Sequence, residues 1–160
     1  MEGWHDFFVA EVGASAALAG LSFVGVSINL TRILSLPRLP PRAFEALLML
    51  LTVLVLSSLS LVPEQPLPLL GAEVLIGGLV CWIMVIGLDI DVWRKTGAEF
   101  RRSYVLLVAM NQIATLPYVI GGLLLVLGGV GGVYWLVPAM VFSFIKAILD
   151  AWVLLVEINR

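Results

Sequence analysis

Between Ser103 and Ile145 the chain carries no charged side chain. That stretch is too long for one helix, and Gly128-Gly129-Val130-Gly131-Gly132 divides it into two apolar runs. Each matches the about 20 mainly apolar residues that a helix needs to cross a bilayer. Three similar runs precede it, so five segments qualify as spans: Phe7–Leu30, Ala43–Val62, Leu69–Leu88, Tyr104–Leu127 and Val133–Val156. Composition points the same way, with 61% hydrophobic and 12% charged residues and a mean hydropathy of +1.10. An ordinary soluble domain carries about 25% charged residues, and a chain of 160 residues has too little interior to hide so much apolar surface. A soluble enzyme and a disordered chain are excluded. So is a nucleic-acid binder, since nine Lys and Arg face eleven Asp and Glu. The expected fold is an all-α, polytopic integral membrane protein, a single five-helix transmembrane domain over residues 1–160.

The connectors are chemically distinct from the spans. Leu36-Pro37-Arg38-Leu39-Pro40-Pro41-Arg42 reads as a basic, proline-rich link that cannot continue a helix. Pro63-Glu64-Gln65-Pro66-Leu67-Pro68 closes a short hairpin, and the stretch from Arg94 to Arg102 is the one hydrophilic loop. Arg32, Arg38 and Arg42 fall in the first connector, Arg94, Lys95, Arg101 and Arg102 in the third, and Arg160 at the end of the sequence. The N-terminal tail and the second and fourth connectors hold no Lys or Arg. By the positive-inside rule five spans place all of these basic segments inside, which predicts an N-out, C-in topology. The N-terminus lacks the basic region of a signal peptide, so the first apolar run is expected to stay in the mature protein. Trp4, Trp93, Trp135 and Trp152 lie near span ends, as interfacial anchors do, and Trp82 is expected to pack mid-span.

Small residues recur at i, i+4 spacing in the first span: Gly13 with Ala17, Ala16 with Gly20, Ser15 with Ala19. Such spacing lets helix backbones approach closely in lipid. It suits a helix central in the protomer or at an oligomer interface, with Gly13, Ala17 and Gly20 as packing residues. The alternative is a pore-lining helix with Ser15, Ser22 and Ser27 facing water. The block Trp4-His5-Asp6-Phe7-Phe8, followed by Ala16 through Leu30, resembles a family of small bacterial membrane proteins without an assigned activity. The resemblance extends through Pro41-Arg42-Ala43 and Leu61-Val62-Pro63, about the first half of the chain. It implies a bacterial cytoplasmic membrane. Ala10-Glu11-Val12-Gly13 also resembles the first helix of small multidrug transporters, but those have four spans and no second motif matches.

Ionisable groups within spans are costly and mark function by default. Lys146 and Asp150, spaced i, i+4, share a face of the fifth span and can pair. A hairpin centred near Val130 sets Asp150 level with Asn111 and Lys146 level with Thr115, with Gln112 beside them. The expected result is a buried polar ladder of Asn111, Thr115, Lys146 and Asp150. It suits ion or proton passage, or serves as glue between two helices. Glu11 and Glu73 lie in the outer third, where two carboxylates could bind a cation or share a proton, with His5, Asp6 and Glu64 nearby. Asn29, Arg32, Arg42, Glu45, Asp89 and Asp91 gather at the inner boundary, where neutralisation by neighbouring charges or anionic lipid headgroups is expected.

One Cys and one His, Cys81 and His5, leave no metal site and no disulfide within the chain, and nothing recommends catalysis or a cofactor. The chain is thus expected to be no enzyme. The leading expectation is an oligomeric ion or proton channel or transporter, surrounded by membrane lipid. The other is a non-catalytic accessory subunit or regulator of a larger membrane complex.

Overall fold

The computed structural model describes residues 2–37, 39–95 and 101–158. Among these the regular structure is entirely helical. After a 3-10 turn at Glu2–Trp4 come α1 (His5–Ile28), α2 (Leu30–Ser35), α3 (Leu39–Ser60), α4 (Leu67–Lys95), α5 (Arg101–Val126) and α6 (Gly132–Ile158). All but α2 are long and apolar enough to cross a membrane. Arg38 and Arg160, which enter the charge-based orientation, lie outside the described residues, as do residues 96–100 of the hydrophilic loop.

The boundaries depart from the sequence reading in two informative places. The proline string does not end before a helix; it opens one. Pro40 and Pro41 occupy the first turn of α3, where backbone N–H groups have no helical partner and proline's fixed φ suits the helix. At the other end of the bundle's first hairpin, α4 continues past Leu88 to Lys95, which carries Asp89 inside a helix. Pro117 and Pro138 lie within α5 and α6 without ending them. The glycine turn after α5 closes as a Schellman motif: Gly128 sits at φ 80°, and Gly128 and Gly129 N–H bond back to the carbonyls of Leu125 and Leu124.

Helices α3, α4, α5 and α6 form a four-helix bundle, each packed on the next and α6 returning to α3. Leu56, Leu70, Val74, Tyr118, Leu125, Val133, Leu136 and Met140 fill its glycine-turn end. Met49, Cys81, Val85 and Ala114 fill the middle. The closest approach is between α4 and α5. A methyl on Gly122 would stand 2.7 Å from Leu75 Cα, and one on Gly71 would strike the backbone of Leu125 and Val126. Only glycine allows that spacing.

The first helix sits apart. α1 packs along α3 and touches α6, burying only 11% of its apolar window against 56% for α3. Phe8 and Ser15 are its buried residues. A central place for α1 in the protomer is therefore corrected. Gly13, Ala17 and Gly20 are exposed, and nothing lies within 4 Å of where a methyl on Gly13, Gly20 or Gly25 would be. The cause is that α1 is apolar on every face, so sequence alone gave no sign of which side meets protein.

Candidate functional site: a buried charged cluster at one end of the bundle

One end of the bundle carries Arg32, Arg42 and Arg94. There α3, α4, α5 and α6 each turn a polar side chain into the interior. Lys146 is 2% exposed and Asp150 2%, on successive turns of one face of α6. The Lys146 ammonium donates to Asp150 Oδ2 and, across the bundle, to Glu45 Oε1 of α3 at 2.8 Å. Glu45 is itself 7% exposed. The i, i+4 pairing on α6 is as the spacing predicts, but the cation has a second anionic partner.

Beside this triad stands Asp89 of α4, on which Glu45 and Lys146 both act through space. Tyr104 of α5 donates its hydroxyl to the Asp89 carbonyl at 2.7 Å, with Asp89 Oδ1 at 3.1 Å. Asn111 Nδ2 donates to the same Oδ1 at 3.0 Å. Two buried oxygens are left without a partner here, Asp89 Oδ2 and Asn111 Oδ1. The cluster thus holds three carboxyl groups, Glu45, Asp89 and Asp150, around one buried ammonium. Arg42 adds positive charge from the start of α3, within electrostatic reach of Asp150 and Tyr104.

Asn111, Thr115, Lys146 and Asp150 are all buried, but the hydrogen bonds do not run between them as a four-residue ladder. Asn111 turns to Asp89 rather than to Asp150, and Thr115 Oγ1 donates to the Asn111 carbonyl of its own helix at 2.8 Å. Gln112 Oε1 accepts from Trp82 Nε1 at 2.7 Å, so Trp82 is both a packing residue and a tie between α4 and α5. Nearer the bundle centre, Tyr118 and Ser143 share a buried hydrogen bond at 3.2 Å, and Ser57 donates to Met140 Sδ.

Glu45, Asp89 and Tyr104 are the members that sequence reasoning missed. The signal for Glu45 was present: Glu45, Met49, Val53 and Leu56 form one i, i+3, i+4 stripe, all buried. Starting the span at Ala43 and ending another at Leu88 consigned Glu45 and Asp89 to the membrane boundary. Asp91, two residues from Asp89, is exposed, as an i, i+2 pair on a helix requires.

The outer carboxylates stand apart from this cluster and from one another. Glu73 accepts from Gln65 Nε2 at 2.6 Å, so the hairpin folds back over the start of α4. Glu11 lies on α1, which shares no packed face with α4 among the described residues. Its Oε2 is buried without a partner, and Ser15 Oγ bonds only to the Glu11 carbonyl and to that of Val12. His5, Asp6, Glu64 and Gln65 do line one cleft of about 730 Å³. A second, apolar groove of about 390 Å³ separates α1 from α3 and α6, lined by Leu18, Gly25, Ala46, Leu50, Ala147 and Trp152 among others. Among the described residues no three of His, Cys, Asp and Glu come together as metal ligands would.

Fold and cluster define the chain as an all-helical protein of five long apolar helices with a net-acidic buried centre. No protein family, no curated protein and no solved structure matches it.

Proposed function

We propose that the chain is a multi-pass protein of a bacterial cytoplasmic membrane, N-terminus out and C-terminus in, that passes protons or small cations as an oligomer. The observation that carries this reading is the imbalance of the buried cluster. The buried Glu45 and Asp150 outnumber the buried Lys146, and the half-buried Asp89 stands beside them; a buried negative surplus is expensive unless a cation or proton joins it. Arg32, Arg42 and Arg94 at the same end support its placement inside. Glu11, with an unpartnered carboxylate oxygen, would serve the opposite mouth.

The test is flux. The purified protein, reconstituted in vesicles that enclose a pH-sensitive dye, is driven by a potassium diffusion potential. Proton uptake above that of protein-free vesicles is expected, reduced at least tenfold by Glu45→Gln with Asp150→Asn. Uptake equal to empty vesicles, for protons and for sodium alike, sinks the reading.

A second reading, an accessory subunit of a larger membrane complex, is favoured by the face of α1. Gly13, Ala17 and Gly20 form an exposed small-residue surface with no other helix against it among the described residues. Recovery with other subunits at fixed stoichiometry, by native mass spectrometry of gently extracted membrane, would select this reading. A homo-oligomer would select the first.

A further inference from the structure

We propose that Asp89 and Asn111 form a proton-binding site, in which Asp89 carries its proton on Oδ2 and donates it to Asn111 Oδ1. This deepens the transport reading by naming the proton as the species and Asp89 as the group that takes it up. The argument is one of hydrogen-bond accounting. Among the described residues every donor directed at the Asp89 carboxyl goes to a single oxygen: Asn111 Nδ2 meets Oδ1 at 3.0 Å, and Tyr104 Oη, whose one proton is shared with the Asp89 carbonyl at 2.7 Å, meets it at 3.1 Å. Its other oxygen is buried and meets none. A carboxylate spreads its charge over two equivalent oxygens and takes donors on both. A carboxylic acid has one accepting oxygen and one that donates, and that asymmetry is what surrounds Asp89.

The second observation is independent and lies on the neighbouring helix. Asn111 is 1% exposed, and its Oδ1 is an acceptor with no donor. It belongs to the same carboxamide that already donates to Asp89. One proton on Asp89 Oδ2 satisfies both orphaned oxygens and closes an acid–amide ring with two parallel hydrogen bonds, O–H to oxygen and N–H to oxygen. A buried acceptor left without a donor is destabilising, so the bound proton removes two such penalties together.

The groups facing the site come from every helix packed on it. Glu45 of α3 disfavours a second negative charge, Lys146 of α6 favours one, and Tyr104 of α5 donates a hydrogen bond. Arg42 and Asp150 lie within the same group, and Arg32, Arg94 and Asp91 are the other charged residues described at this end. Lys146 is already bonded to both Glu45 and Asp150. Among the described residues Asp89 is thus the carboxyl of the cluster without a hydrogen bond from a cation.

The experiment is infrared spectroscopy of the full-length protein in lipid nanodiscs at neutral pH, in sodium and in choline salts. The expected result is a protonated-carboxyl carbonyl band that shifts down in D2O, is indifferent to sodium, persists in Glu45→Gln and vanishes in Asp89→Asn. Absence of that band, its survival in Asp89→Asn, or its loss on adding sodium overturns the proposal. A second measurement guards against a folding artefact. Asp89→Asn sets an N–H where the acid O–H stands, so its thermal midpoint should stay within a few degrees of the wild type, whereas Asp89→Leu falls well below. Equal losses in both variants also overturn the proposal. If the band is present and vesicles show no flux, the site stands and the transport reading fails; flux without the band sinks only the site.

Discussion

Lys146 is held by two carboxylates from two helices, and this makes it the residue whose loss the bundle tolerates least. Removing one member of a buried ionic group leaves the rest uncompensated, at a cost of about 3–5 kcal/mol. Lys146→Met should therefore lower stability by about that amount, measured by denaturant or thermal unfolding in a single detergent. Lys146→Met combined with Glu45→Gln and Asp150→Asn should recover much of it, because no orphaned charge remains. A triple variant as unstable as the single one would show that the side chains matter for shape and not for charge. The i, i+4 half of this group was legible in the sequence because spacing on one helix is arithmetic. Its other half was not, because which face of α3 meets α6 is decided by packing, and only burial of the Glu45, Met49, Val53, Leu56 stripe reveals it.

Among the elements, α4 with α5 and α1 make a useful contrast. Both carry glycines, and the sequence draws attention only to those of α1. Five apolar helices were legible from length and hydropathy, since hydrocarbon leaves the backbone no alternative. The pairing partners of those helices were not, because apolar side chains look alike whether they face lipid or protein. In the structure Gly71 and Gly122 are pressed against backbone, while Gly13 and Gly20 face open space. Gly122→Leu should cost about 3 kcal/mol or more, at or above the upper end for overpacking, seen as a lowered unfolding midpoint. Gly13→Leu with Gly20→Leu should leave the protomer's midpoint unchanged. If the face of α1 is where copies meet, the same double variant should shift the protein from oligomer to monomer in native mass spectrometry. An unfolded double variant would place α1 inside a core that the structure does not show.

For the whole molecule, the open matter is which end faces the cytoplasm. The proposed orientation puts the α2 connection inside and the glycine turn outside. Cys81 is buried at 1% exposure, so it offers a quiet background for labelling. With an impermeant maleimide on intact cells, Gly131→Cys should label directly and Ser35→Cys only after permeabilisation. The reverse pattern would invert the topology and move the acidic cluster to the outer leaflet.

The arrangement of charge along the chain also bears on how such a bundle is made. α6 leaves the ribosome after α1 to α5, and among the described residues it carries the buried cation. Because Asp150 sits one turn from Lys146 and already binds it, α6 in the proposed membrane setting would reach the lipid with its counter-ion attached, as a nearly neutral segment behind the charge-free stretch of α5 that starts at Ser103. Glu45 and Asp89 are by then already in place on α3 and α4. On that reading α6 would need no preformed partner to enter, and would meet Glu45 only when the bundle closes.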